Sequence, residues 1–307
     1  MNEKRLGSLP LVSVVVITYN SAQYVEQTLE SVLSQTYQGP IELIVSDDGS
    51  KDDTMAICER WMAEHSSLFY YCHILQTPIN LGICGNYNFA LERISGDWIK
   101  YIAGDDVLAP ECIEVFMRYA MSSGDKIIIS GVECIDKQSN SKGARYIMEE
   151  YLDSDNPLTQ AENLARYGGN GIVEGPSLFV QAALLRSIGG MNMAYPMLED
   201  FPLVFKCAFQ GYHVGVIKRP LVKYRVYPDS VSQSDQCFRI MYQQAVYDAR
   251  KKIAFYHRKF IEMWHHHVMK VVSACQYNGW LGKIIIILMK CTDIYGLKSW
   301  LGHQDNQ

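Results

Sequence analysis

The chain has 307 residues, 48% of them hydrophobic and 20% charged, with a formal net charge of −5. That composition excludes wholesale disorder, and the length allows one or two domains with a full core. The negative balance argues against general nucleic-acid binding.

The charge is unevenly placed. Between residues 249 and 300 nine bases face two acids, Glu262 and Asp293. An acidic body with a basic tail suits a tail that meets an anionic surface. The nine cysteines form no Cys-x-x-Cys pair, which fits reduced, buried thiols of a cytosolic protein. Lys4 and Arg5 precede an apolar run that is short, β-branched and begins after Pro10. It reads as a buried strand rather than a signal peptide.

Leu11 to Thr18 is nearly all apolar and rich in Val, the pattern of a strand buried on both faces of a parallel sheet. Tyr19-Asn20-Ser21 is a turn with Ser21 as a helix cap, and Val25, Leu29, Val32 and Leu33 follow at helical spacing. Ile41 to Val45 is a second strand running into Asp47-Asp48-Gly49-Ser50, and Asp52-Asp53-Thr54 opens a helix through Trp61. Phe69 to Leu75 is a third strand. After the turn Asn80-Leu81-Gly82 comes a helix with Tyr87, Ala90 and Leu91. Trp98 to Ala103 is a fourth strand, ending on Asp105 and Asp106. Pro110 to Met121 is helix, and Ile127 to Val132 strand.

This alternation with short links indicates a Rossmann-like open α/β sheet, in which ligands bind beyond the carboxyl ends of the strands. Three strand ends carry polar clusters: Thr18-Tyr19-Asn20, Asp47-Asp48-Gly49-Ser50 and Asp105-Asp106. They are expected to meet at one crevice. There is neither G-x-G-x-x-G after the first strand nor a G-x-x-x-x-G-K-[ST] loop anywhere, which disfavours dinucleotide dehydrogenases and P-loop enzymes. Paired carboxylates facing a diphosphate call for Mg²⁺ or Mn²⁺ between them. Taken alone, the aspartates read equally well as a solvated turn.

In order along the chain, Val14 to Asn20, Ser31 to Tyr37, Asp47 to Ser50 with Asp53-Thr54, Asn80-Leu81-Gly82, Gly104-Asp105-Asp106, Arg186 with Ile188-Gly189-Gly190, and Glu199-Asp200 resemble glycosyltransferase family 2. The resemblance covers roughly residues 11–232. It implies a GT-A fold: a mixed, mostly parallel sheet flanked by helices, with a C-terminal helical extension. The catalytic domain would be 1–232, with a nucleotide-sugar half at 1–108 and an acceptor half at 109–232. Residues 233–307 would form a helical, basic tail.

The resemblance also implies roles. Thr18, Tyr19, Asn20 and Asp48 would hold the nucleotide, and Asp48 accepting from a pyrimidine N–H favours a UDP- or dTDP-sugar. Asp106 would ligate Mn²⁺ or Mg²⁺, and Asp105 would touch ribose or sugar. Asp200 would be the general base of an inverting displacement, with Glu199 beside it. In isolation, Glu199-Asp200 reads as an ordinary acidic helix start. Gly168-Gly169-Asn170-Gly171 and Gly175-Pro176-Ser177 would lie on the acceptor side, or be ordinary surface loops.

Two positions depart from the family pattern. Tyr87 stands where Arg is frequent. Tyr224-Arg225-Val226-Tyr227 stands where Tyr-Arg-x-His is frequent, so metal coordination from that side is in question. Arg225 reads as a diphosphate ligand or as a strand-end cation.

In the tail, Phe238 to Lys270 reads as long helix. Ile284 to Leu288, between Lys283 and Lys290, is too short to span a bilayer. Trp280, Tyr295 and Trp300 with the lysines suit a helix in the membrane interface or one packed on the catalytic domain. His265-His266-His267 points to different sides of a helix and chelates poorly.

The expectation is therefore a cytoplasmic enzyme, peripheral on the inner membrane. It would extend an undecaprenyl-diphosphate-linked saccharide acceptor in surface polysaccharide (O-antigen) biosynthesis. The rival is a catalytically silent sugar-nucleotide- or glycan-binding module of the same fold. A nucleotidyltransferase lacks its Gly-rich triphosphate loop.

Overall fold

The computed structural model describes residues 9–145, 151–168, 173–227 and 236–257. The chain divides into two compact units, Met1–Ala245 and Val246–Gln307. The tail features from Arg258 onward, including the three histidines and the aliphatic run, lie outside the described residues.

The strands are β1 (Val12–Thr18), β2 (Ile41–Asp47), β3 (Tyr71–Gln76), β4 (Trp98–Ala103), β5 (Val107–Leu108), β6 (Ile127–Ile135), β7 (Ser141–Arg145), β8 (Leu178–Gln181) and β9 (Val214–Arg225). The helices are α1 (Val25–Leu33), α2 (Thr54–His65), α3 (Gly82–Leu91), α4 (Cys112–Ser123), α5 (Pro157–Tyr167), α6 (Ala182–Ser187), α7 (Phe201–Phe209) and α8 (Gln236–Tyr256). α1 begins one turn later than the cap at Ser21 suggested. Residues 21–24 form a turn in which Val25 N–H bonds Ser21 O at 2.9 Å.

One sheet holds the first unit together, in the order β3-β2-β1-β4-β8-β6-β9-β5, with β7 paired to β6. β3, β2, β1 and β4 run parallel. β8 then runs antiparallel to both β4 and β6, and β9 returns parallel to β6. The parallel half matches the alternating strands and helices of the sequence. In the mixed half β6 follows the expected strand at Ile127 to Val132, whereas β8, β9 and the short β5 and β7 come from strands that no run of the sequence pointed to. β8 has four residues, and the apolar pattern of β9 is broken at Lys218-Arg219-Pro220, where its register with β6 shifts.

Val12, Val14, Val15 and Val16 of β1 are fully buried. Each contributes roughly 1.5–3 kcal/mol through burial, and that fixes β1 at the centre. Trp98, Phe116 and Phe179 stack between the sheet and α4, with ring centroids 4.9–5.0 Å apart. Cys58, Cys84, Cys112, Cys134 and Cys207 are buried. No helix among the described residues is long and apolar enough to cross a membrane.

Candidate active site

The carboxyl ends of the four parallel strands form one line. Thr18 lies opposite Asp47, and Ile17 opposite Ala103. Gly104 N–H bonds Ile17 O at 2.8 Å, and a Cβ at Gly104 would sit 2.8 Å from Thr18 Cγ2. A glycine there lets the acidic loop lie against β1. Because β8 is antiparallel to β4 and β9 parallel to β6, the start of β8 and the end of β9 reach the same edge.

The nucleotide-side residues are heavily engaged. Thr18 Oγ1 donates to Asp47 Oδ1 at 2.9 Å, and Asp47 Oδ2 accepts from Ser50 N–H at 2.9 Å. Asn20 adopts φ +52°, a left-handed conformation that asparagine tolerates. Its N–H donates to Ser50 Oγ, and its Oδ1 accepts from Lys51 N–H, both at 2.8 Å. Tyr19 is 51% exposed beside it.

Asp48 is buried and accepts three donors. Oδ1 takes Leu81 N–H at 2.7 Å and Thr77 Oγ1–H at 3.0 Å, and Oδ2 takes Gly82 N–H at 2.9 Å. This carboxylate caps the start of α3, where an anion is favoured. Oδ2 keeps one lone pair for a further donor.

Asp106 is 1% exposed. Its Oδ1 accepts Arg225 N–H at 2.8 Å, whereas Oδ2 is buried without a partner. Burial, reinforced by Asp105, pushes its pKa well above the usual carboxylate range. An orphaned buried carboxylate oxygen is costly unless something else binds it. A hard divalent cation fits that oxygen. Among the described residues no three His, Cys, Asp or Glu side chains converge on one point, so phosphate and water oxygens would complete the shell, as is usual for Mg²⁺. Asp105 is raised by burial too, and Tyr227 O–H donates to its Oδ2 at 3.2 Å. The position that departs from the family's His therefore supports an aspartate here.

Arg225 is 1% exposed. Its Nε donates to Asp105 O at 2.7 Å, one terminal nitrogen to Asp136 O at 2.8 Å and Ser139 Oγ at 3.1 Å, and the other to Gln27 Oε1 at 2.7 Å. Its guanidinium also lies 4.3 Å over the Tyr24 ring. In this geometry the guanidinium grips the acidic loop rather than facing solvent. Tyr87 is buried against Tyr101, with ring centroids 4.3 Å apart.

On the far side, Asp200 caps α7, and its Oδ1 accepts Phe201 N–H at 2.5 Å. Burial raises it to about 7; the Phe201 bond pulls the other way and Glu174 adds to the rise. Glu199 is raised to about 8 by burial and by Asp200. Glu199 rests on Gly175, where a Cβ would overlap Oε1. Glu174, paired to Arg145 at 2.8 Å, was invisible to sequence reasoning, because its neighbours meet it only through the fold. The segment before Asp200 docks on α3: Cys84 N–H bonds Pro196 O at 2.9 Å. Asp48 and Asp200 are thus connected through the first turn of one helix.

The acids lie at the carboxyl edge of a mixed sheet, and the sequence model of glycosyl transferase family 2 matches residues 13–186. The chain belongs to that family. A Rickettsia felis protein described as an uncharacterized glycosyltransferase is 32% identical over 200 residues, 64% of this chain and 31% of that protein. A Haemophilus influenzae counterpart is 29% identical over 231 residues, 74% of this chain and 69% of its own. The chain spans 31% to 58% of the length of the Rickettsia relatives of R. felis and R. typhi.

Among solved structures, S. aureus TarS 1-349 in complex with UDP-GlcNAc aligns with TM-score 0.61 at 18% identity, over 84% of this chain and 72% of that one. The mannosyltransferase PcManGT from Pyrobaculum calidifontis, in complex with GDP-Man and Mn²⁺, aligns with TM-score 0.57 at 17% identity, over 97% and 85%. These likenesses establish the GT-A fold.

Proposed function

We propose that the chain is a metal-dependent, inverting glycosyltransferase. It moves a sugar from a UDP- or dTDP-sugar to a saccharide acceptor. The observation that carries this reading is Asp106: a buried carboxylate with one oxygen unpartnered, on the same sheet edge as a second, separate acid whose pKa lies near neutrality.

In this reading Asp48 Oδ2 accepts the pyrimidine N–H with its spare lone pair, and Tyr19, the exposed member of the cluster, lies beside the base. Asp106 holds the cation, and Asp105, braced by Tyr227 and Arg225, faces ribose or sugar. When bound, Mn²⁺ or Mg²⁺ supplies charge neutralisation for the leaving diphosphate. Asp200 accepts the proton of the acceptor hydroxyl as its oxygen bonds the anomeric carbon and the bond to the diphosphate breaks. A group titrating near 7 is well matched to that task at neutral pH. One displacement inverts the centre, so an α-linked donor gives a β-linked product. UDP and UDP-GlcNAc in TarS support a uridine donor, and Mn²⁺ in PcManGT supports the metal.

For the acceptor, we favour an undecaprenyl-diphosphate-linked saccharide of surface-polysaccharide assembly, met at the membrane surface through the basic C-terminal segment. The support is the charge asymmetry of the sequence.

The test is a panel of UDP- and dTDP-sugars with Mn²⁺, following nucleotide release, with Asp106→Ala alongside. Release from one donor that is lost in Asp106→Ala is the expected result. Tight binding without turnover, even with lipid-linked acceptors supplied, would instead establish the silent module.

A further inference from the structure

Lys100 is fully buried in the middle of β4. Its neighbours on the same face of the strand, Trp98 and Ile102, belong to the apolar core, and its ammonium lies 5.8 Å over the Phe116 ring. A solvated cation is expelled from such a place unless every N–H is matched. Here Nζ donates to Tyr101 O at 3.0 Å, Leu178 O at 3.2 Å and Pro176 O. An ammonium has three donors, so the set is complete, and the acceptors are carbonyls rather than a carboxylate. Burial holds the lysine down at about 8.

Two of those carbonyls belong to the turn Gly175–Ser177 and the residue after it. Ser177 N–H bonds Glu174 O at 2.9 Å, so the turn is closed on Glu174. Glu199 rests on Gly175. The turn is therefore a shelf under Glu199-Asp200, and β4 is the strand that delivers Asp105-Asp106. Lys100 joins the two across the sheet. A leucine or valine at 100 would satisfy the core equally well and would leave Pro176 O and Leu178 O without this partner.

We propose that Lys100 is a positioning residue that sets the base-bearing segment Glu199-Asp200 against the metal-binding aspartates by fastening the 175–178 turn to β4. This rests on the transferase reading above. Proton transfer and displacement depend on sub-ångström placement of the base, and an error of about 1 Å costs on the order of a hundredfold in rate.

The test uses the full chain with Lys100→Met, which fills similar volume, and Lys100→Gln, which keeps two donors at shorter reach. UDP with Mn²⁺ is the binding probe, and hydrogen exchange of peptides covering 173–181 and 98–103 reports the fastening. In the wild type the 173–181 amides should be as protected as β4. In Lys100→Met they should exchange at least about tenfold faster while the β1 and β2 peptides stay unchanged. UDP–Mn²⁺ affinity should stay within about twofold, and transfer kcat should fall about a hundredfold with donor KM unchanged. Donor hydrolysis by water, which needs no acceptor, should fall much less.

Loop-like exchange of 173–181 in the wild type would overturn the proposal without any variant, should Lys100→Met fail to fold. Unchanged exchange in folded Lys100→Met would overturn it as well, as would UDP affinity falling in step with transfer. If the wild type binds no nucleoside diphosphate, the transferase reading fails, and the exchange data still decide whether Lys100 fastens the turn.

Discussion

The main-chain N–H of Arg225 occupies one carboxylate oxygen of Asp106 at 2.8 Å, while the guanidinium of the same arginine holds Asp105 O at 2.7 Å. The last residue of β9 thus holds both aspartates of the loop after β4 and leaves a single buried oxygen, Asp106 Oδ2, unpartnered. That oxygen is the one the proposed cation would take.

Arg225→Lys is expected to be far from conservative. A lysine cannot reproduce the planar fork that reaches Asp105 O, Asp136 O, Ser139 Oγ and Gln27 Oε1 together. Loss of roughly 2–4 kcal/mol of stability is expected, read as a lower urea midpoint at unchanged m-value. Arg225→Lys retaining wild-type stability would contradict the buried-grip role.

Asp106→Asn should not destabilise the metal-free protein. The charged form is penalised by burial and by Asp105, so removing the charge relieves a cost. Thermal melts at pH 7.5 without divalent ions should place the variant at or above the wild type. A large drop would show that the carboxylate is a structural partner only.

Stability should fall as pH rises. Asp200 and Glu199 have folded values raised to about 7 and about 8. The folded state therefore holds protons that the unfolded chain has already lost. The stabilisation is complete below about pH 4 and disappears as pH passes through 7 to 8. Asp200→Asn should flatten part of that slope, by on the order of 2 kcal/mol between pH 5 and 8. Urea unfolding at the two pH values measures it, and an unchanged slope would place Asp200 in water-like surroundings.

Tyr227→Phe tests the support of Asp105. Its hydroxyl lowers the carboxyl pKa against a larger rise from burial. Without it, metal-supported nucleotide binding should weaken about tenfold and decline at a higher pH on acidification, as expected for losing one hydrogen bond to a charge. Equal affinity at pH 6 and 8 in both proteins would remove Tyr227 from the site.

Where the acids of the candidate site gather was legible because carboxylates at the ends of Val- and Ile-rich strands announce themselves. β1, β2 and β4 follow from their apolar runs, and their parallel order brings Thr18, Asp48 and Asp105 to one edge. The rest depends on partners far away in sequence. Nothing near Lys100 reveals that two of its three donors meet carbonyls 76 and 78 residues on. Arg225 looks like any strand-end cation until β9 lies beside β6 and the 136–139 turn closes over it. Asp48 also reads differently in the fold, since its bonds to Leu81 and Gly82 give it a capping duty on α3.

The most direct measurement is calorimetric titration of UDP into the wild type and Asp106→Asn, with and without Mn²⁺. Binding by the wild type that requires Mn²⁺ and falls at least about a hundredfold in Asp106→Asn is the expected result, since a lost metal ligand removes the bridge to the diphosphate. Equal UDP affinity in both proteins, or affinity indifferent to Mn²⁺, would contradict the assignment of Asp106 as the metal-binding carboxylate.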